Sequence, residues 1–239
     1  MLAKNREATI AATLDSVASF AEVILLDTGS TDATLPLAQQ YPNVKIFQTE
    51  FKGFGCLRNE AAEKAQHDWI LALDTDEILS PPLLQEIGSL RLDPALIYSM
   101  PRHNFYNGKW IRGCGWYPDR VARLYHRKEA RYSEAKVHEV LLGRRECPLL
   151  SPLLHTPYRS TADFLAKMEH YSTLFAQQYC HQKKSSFKKA LAHALFAFFR
   201  SYFLRRGLFD GAEGFTISLY NANTAFYKYL KLHEANQSS

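Results

Sequence analysis

The chain has 239 residues, 46% hydrophobic and 22% charged, with a formal net charge of +5. This composition excludes a disordered chain and allows a sizeable core. The cysteines Cys56, Cys114, Cys147 and Cys180 stand far apart with no Cys-x-x-Cys, which argues against a zinc ribbon or disulfide framework and for a reducing cytosol. No apolar run reaches the roughly 18 residues of a membrane span, and the N-terminus does not read as a secretory leader. Charge is unevenly placed. Lys183, Lys184, Lys188, Lys189, Arg200, Arg205 and Arg206 lie between Glu169 and Asp210 with no acid among them, so a near-neutral body carries a basic C-terminal region.

In chain order, Ile10, Leu14 and Val17 fall at helical spacing within 6–19. EVILLDT (22–28) reads as a buried strand ending in a polar turn, 31–41 as a helix, and VKIFQT (44–49) as a strand. A helix over about 55–66 and the strand WILALD follow. Such alternation predicts βαβ units and a mostly parallel sheet flanked by helices. Ligands of such sheets sit beyond the carboxyl ends of the strands. Both acidic turns, DTGSTD (27–32) and DTDE (74–77), fall there. MLAKN leaves about three residues for a first strand, which implies either a very short strand or a start further upstream. From 96 to 160, aromatics, glycines and short apolar stretches predict short strands and loops of the same body. From Thr161 onward helical spacing returns (Phe164, Met168, Tyr171, Phe175), with helices expected over 161–182, 186–205 and 211–232.

In DTDE the bland reading is helix capping, but Ser80-Pro81 already supplies a cap and a first-turn proline for the next helix. Residues i and i+2 of an extended turn point the same way. Two adjacent carboxylates are costly unless a cation or proton joins them, and Mg²⁺ or Mn²⁺ bridging to phosphate oxygens suits one or two carboxylates. In DTGSTD, Gly29 permits the bend, Ser30 or Thr31 caps a helix, and Asp27 stands at a strand tip. In AKNRE (3–7), Asn5 and Glu7 end a strand and open a helix.

Taken in order, AKNRE, DTGSTD, the GCLRN of 55–59 and LDTDE resemble the family 2 glycosyltransferases with the GT-A fold. The resemblance implies a mixed, mostly parallel α/β sheet with a C-terminal helical extension. It divides the chain into a catalytic domain over 1–160, with a nucleotide-sugar half (1–100) and an acceptor half (101–160), and a basic helical region over 161–239. It implies that Asn5, Glu7 and Asp27 contact the base and ribose with Arg58 nearby, that Asp74 reaches the ribose or metal, and that Asp76 ligates the metal on the diphosphate. An inverting transfer also needs a carboxylate base. KVHEVL (136–141) offers Glu139, with Asp119 as the second candidate, and His138 as a third metal ligand or an orienting group. Arg120 and Arg123 of PDRVARLY suit a diphosphate, since guanidinium offers paired donors and a permanent charge; a surface ion pair is the equal alternative. Trp110, Trp116 and Tyr117 are candidates for a wall against a sugar ring, and equally for core.

The VHE, the aromatic 104–117 segment and FLRRGLFDGAEGF (203–215) further resemble the branch of that family that glucosylates the lipopolysaccharide inner core. That implies a UDP-sugar donor (UDP-glucose), a heptose of the lipid A–core oligosaccharide as acceptor, and a peripheral position on the anionic inner face of the bacterial inner membrane, on the cytoplasmic side. ALAHALFAFFRSYFLRR reads as a helix with broad apolar coverage and cationic ends, suited to core packing and to an anionic membrane surface. No nucleic-acid module is visible, so no nucleic-acid partner is expected. The rival readings are a family 2 enzyme for another cell-surface glycan, an aspartyl phosphohydrolase using its DxD as a nucleophile pair, and a membrane-peripheral scaffold that binds nucleotide without turnover.

Overall fold

The computed structural model describes residues 1–134, 139–143 and 145–237. The chain divides into two compact units: Met1–Arg102 with Asp119–His155, and His103–Pro118 with Thr156 to the C-terminus. The aromatic segment 103–118, expected within the first body, thus groups with the C-terminal helices.

In the first unit the elements run β1 (Leu2–Ala3), α1 (Ile10–Asp15), β2 (Val23–Asp27), α2 (Thr34–Ala38), β3 (Val44–Gln48), α3 (Phe54–Glu63), β4 (Trp69–Leu71), β5 (Glu77–Leu79) and α4 (Pro81–Ser89). They continue through β6 (Leu96–Tyr106, shared with the second unit), with β7 (Lys109–Trp110) in the second unit. Then come β8 (Arg120–His126), β9 (Arg131–Tyr132), β10 (Leu141–Leu142), β11 (Arg145–Pro148) and β12 (Leu153–His155). The α/β class expected from the sequence is what forms. β1, β2 and β3 make a parallel sheet in that order. The second sheet is mixed: β8 pairs antiparallel with β4 and β6, β5 antiparallel with β12, and β11 parallel with β6.

The helix spacing noted in the sequence is a packing fact. Ile10, Leu14 and Val17 are buried and join Leu25, Leu73 and Leu153 in the main core. β2 is buried along its whole length, which suits a strand covered on both faces. The first strand is only two residues long, and an apolar cavity of about 300 Å³ lined by Met1, Val23, Trp69 and Leu71 among others opens beside it. Ser80 caps α4, accepting from the Leu83 amide, and Pro81 holds the first helical position.

The second unit is built on α5 (Thr161–Tyr179), α6 (Phe187–Phe199) and α7 (Gly211–Gln237). α6 runs on into a π turn over Arg200–Leu204, and a 3₁₀ turn over Gly207–Asp210 leads into α7. Serines cap two of the helices: Ser160 accepts from Asp163 N and Ser186 from Lys189 N. Small residues let the hairpin of α6 and α7 close tightly. Ala190, Ser201, Gly207, Gly214 and Ser218 are buried, and Ser201 and Ser218 share a 3.0 Å hydrogen bond. A Cβ on Gly214 would run into the Gly207 carbonyl oxygen. That atom is backbone and cannot rotate away. Gly214→Ala is therefore expected to destabilise by about 1–3 kcal/mol, the usual range for overpacking, lowering the melting temperature by several degrees in a calorimetric scan.

Candidate active site

The site grows from the end of β4. Trp69–Leu71 pairs with His126–Leu124 of β8, and the ladder extends when the Ala72 amide donates to the Arg123 carbonyl at 2.8 Å. Leu73 is buried, so the chain leaves the core only at Asp74. A tight turn follows, closed by Glu77 N donating to Asp74 O at 3.1 Å. Glu77 then starts β5, whose antiparallel register sets it opposite His155 of β12.

Around this turn seven side chains of alternating charge form one chain. Arg58 of α3 donates through Nε to Glu139 Oε1 at 2.9 Å and through Nη2 to Asp74 Oδ1 at 2.6 Å. Arg123 Nη2 donates to Asp74 Oδ2 and, at 2.6 Å, to Glu77 Oε1. Arg102 Nη1 donates to the same Glu77 oxygen at 3.0 Å, and its Nε to Asp119 Oδ2 at 2.8 Å. Glu77 is fully buried and its Oε2 accepts from the Asp74 amide at 3.0 Å. Burial alone would push the Asp74 carboxyl up, but the guanidiniums of Arg123 and Arg58 outweigh it and hold it far below the ordinary carboxylate range. Burial also disfavours the Arg123 charge, yet Asp74 and Glu77 more than compensate and raise its pKa further. Asp74, expected at the ribose or the metal, is thus ionised at neutral pH with both oxygens already engaged by arginine.

Asp76 is placed differently. It lies 3.6 Å from His155 Nε2 and 3.8 Å from Arg6 Nη1, outside hydrogen-bond range of either. Burial lowers the His155 pKa against the pull of the Asp76 carboxylate, so the imidazole is neutral at pH 7. A carboxylate and a neutral imidazole are a donor set that fits a divalent cation completed by ligand oxygens. Among the described residues no three His, Cys, Asp or Glu side chains cluster closely enough to cage an ion on their own. His138, expected as a third ligand, lies outside the described residues.

The AKNRE and DTGSTD segments lace together. Thr31 N donates to Asn5 Oδ1 at 2.8 Å, Ala33 N to Glu7 Oε2 at 3.0 Å, and Asn5 N to Ser30 Oγ at 2.9 Å. Asp27 is fully buried and turns back on its own loop, accepting from Gly29 N and Ser30 N at 3.0 Å each and from Ser30 Oγ. Gly29 takes φ +97°, a conformation that favours glycine. These residues make a braced rim after β1 and β2.

Arg120 and Arg123, paired in the sequence reading, have different work. Three residues apart on a strand, they face opposite sides. Arg120 donates to the Ser99 and Leu149 carbonyls at 2.9–3.1 Å, tying β8 to neighbouring backbone, whereas Arg123 enters the charge chain. The aromatics also part. Trp116 stacks on Tyr158 in the core of the second unit, while Trp110 stacks on His103 at 3.7 Å with Tyr117 edge-on at 5.6 Å. Glu77, Arg102 and His155 escape sequence reasoning. The local signal for His155 is an ionisable residue closing an otherwise apolar strand, LLH of 153–155, whereas Glu77 opens β5 and Arg102 lies inside β6.

Removing Arg123 would leave Glu77 and Asp74 buried without their shared cation. Arg123→Gln is expected to lose about 3–5 kcal/mol, measured by urea unfolding at pH 7. Asp74 titrates well below its unfolded value of about 3.9, so its contribution is fully present above about pH 4 and is lost as pH falls toward the depressed folded value. Stability should therefore drop steeply on acidification below about pH 4 in the parent, and less steeply in the variant.

A family model described as glycosyl transferase family 2 matches residues 1–139. The lipopolysaccharide core biosynthesis glycosyltransferase LpsC of Rhizobium meliloti is 28% identical over 246 residues, covering 96% of this chain and 89% of that protein. An uncharacterized glycosyltransferase of Rickettsia typhi is 26% identical over 255 residues, covering 100% and 87%. The solved structure of S. aureus TarS 1–349 in complex with UDP superposes with a TM-score of 0.49 at 17% identity, covering 99% of this chain and 90% of that one. With the family model spanning more than half of its length, the chain belongs to glycosyl transferase family 2.

Proposed function

We propose that this glycosyltransferase is an inverting, metal-dependent hexosyltransferase that moves glucose from UDP-glucose to a heptose of the lipopolysaccharide inner core. The observation that carries the donor half is the unequal pair in the DTDE turn: Asp74 is locked between two arginines while Asp76 stands beside a neutral His155. The braced rim of Asn5, Glu7 and the Asp27 turn would receive the uridine, with Asp74 and Arg58 beyond it. The acceptor half is supported by the similarity to LpsC along almost the whole chain.

Bound Mg²⁺ or Mn²⁺ at Asp76 and His155 would offset the charge that develops on the departing diphosphate. Glu139 is the base. Its Oε1 is fixed by Arg58, which orients the carboxylate and links it to Asp74. The acceptor hydroxyl oxygen forms its bond to the anomeric carbon as the bond to the diphosphate breaks, and the hydroxyl proton passes to Glu139. Holding this carboxylate in place matters because general-base catalysis is typically worth about 100- to 10,000-fold. Asp119 is the alternative base, favoured by its place at the other end of the charge chain on Arg102.

Asp76→Ala is expected to abolish metal-dependent transfer, assayed with tritiated UDP-sugars and truncated core lipid extracts; unchanged turnover would refute the metal assignment. Glu139→Gln should keep UDP binding by calorimetry and lose turnover by about 100-fold or more. If Asp119→Asn alone shows that split, Asp119 is the base. Transfer from UDP-glucose to a different glycan would redirect the acceptor, and UDP binding with neither hydrolysis nor transfer would favour a scaffold.

A further inference from the structure

We propose that the outer face of α6 and the π turn that continues it is a docking surface for an anionic lipid bilayer. It follows from residues of the second unit alone and is independent of the donor and acceptor assignments.

The helix is built with its apolar bulk on the outside. Phe187, Leu191, Leu195, Phe199 and Phe203 recur at intervals of four, and each is between 44% and 64% exposed. At about 3.6 residues per turn, such spacing draws a stripe that winds slowly along one side. The opposite side packs toward α7: Ala190 and Ser201 are buried, His193 stacks on Tyr229 at 3.8 Å, and the half-buried Phe198 meets Phe215 at 5.7 Å, while Phe187 at the start of the stripe also touches Phe226 edge-on at 5.9 Å. A helix that only served a core would not carry a second set of large apolar residues outward. The stripe is continuous with a wider patch. The Phe199 and Phe203 rings lie 5.4 Å apart, Tyr202 contacts Phe203 at 5.1 Å, and Tyr202 also meets Phe215 of α7 at 5.8 Å. Exposed apolar area of this extent marks an interaction surface.

Charge selects the occupant. Exposed cations flank both ends of the stripe, Lys183, Lys184, Lys188 and Lys189 before or at its start, and Arg200, Arg205 and Arg206 at its end. Residues 170–209 contain no Asp or Glu. Two copies joined through this face by a two-fold axis would set like charges against each other. Lipid tails beneath anionic headgroups satisfy both features, with aromatic and aliphatic side chains entering the interface and lysines and arginines meeting headgroups. No helix among the described residues is long and apolar enough to cross a membrane, so the geometry is that of a helix lying on the surface.

The test is flotation of the full chain with vesicles of phosphatidylcholine alone, or of phosphatidylcholine with phosphatidylglycerol. The parent should float with the anionic vesicles at least about tenfold better than with the neutral ones, an advantage that added salt diminishes. Leu195→Ser/Phe199→Ser/Phe203→Ser should lose binding to both. Lys188→Glu/Lys189→Glu should fall by at least about tenfold on anionic vesicles alone, since each cation near such a surface contributes roughly fivefold. Both variants change exposed positions, and circular dichroism melts should match the parent. The proposal is overturned if the parent remains unbound at low salt, or if it binds both vesicle types equally. It is also overturned if the triple variant binds like the parent, or if sedimentation shows a dimer that the triple variant dissolves while vesicles capture nothing.

Discussion

Arg123 carries the buried guanidinium on which the site depends. It joins Asp74, at the exit of β4, to Glu77, the first residue of β5, and so fixes the turn that carries Asp76 between them. Without that cation, two carboxylates three positions apart would meet in a space largely closed to water. Their repulsion would open the turn or force one to take a proton. Breaking an assembly of this kind costs far more than breaking a surface ion pair. Arg123 reaches both acids because β8 is clamped between β4 and β6, so the sheet register is also the register of the site.

This arrangement assigns unlike tasks to the two aspartates of one short motif. Asp74 braces the turn, saturated by donors from α3 and β8. Asp76, one residue past the buried Thr75, has an imidazole and a guanidinium near it at ion-pair distance only. Glu139 is drawn into the same electrostatic system through Arg58, although 81 positions of chain separate the two. The proposed base is thereby linked mechanically to the turn that would meet the diphosphate. A shift at either end of the chain of charges is felt at the other.

Much of this is legible in the sequence, for local reasons. The apolar run of β2 and the Ser80-Pro81 start of α4 depend on neighbours within a few positions and form as expected, and Ile10, Leu14 and Val17 are buried as their spacing implies, although the helix itself covers only Ile10–Asp15 and Val17 lies in the turn after it. The acidic turns are likewise visible as charge at strand ends. The partners of those acids are not, because they arrive through strand pairing. His155 faces Glu77 only by the register of β5 with β12, and Arg102 reaches Asp119 because β6 lies beside β8 and Glu77 because β12 alone stands between β6 and β5. Strand parity separates Arg120 from Arg123, since an odd spacing turns side chains to opposite faces. The segment 103–118 reads as part of the catalytic body because its aromatics give no sign of which apolar surface they cover. They cover the helical one, through Tyr106, Ile111 and Cys114 against Phe164 and Ile217.

Gly207 and Gly214 meet where the C-terminal hairpin reverses. A side chain on either would strike its surroundings, the Gly207 carbonyl oxygen for Gly214 and Cys114 Sγ, Ser201 O and Ser218 Oγ for Gly207, so the connecting turn can lie this close to α7 only without one. The turn that joins the helix bearing the aromatic stripe to α7 is thus held close from the inside, by hydrogens where other residues carry carbon. Exchange among the bulky outer residues meets no such limit, whereas one methyl at the crossing has no room to enter.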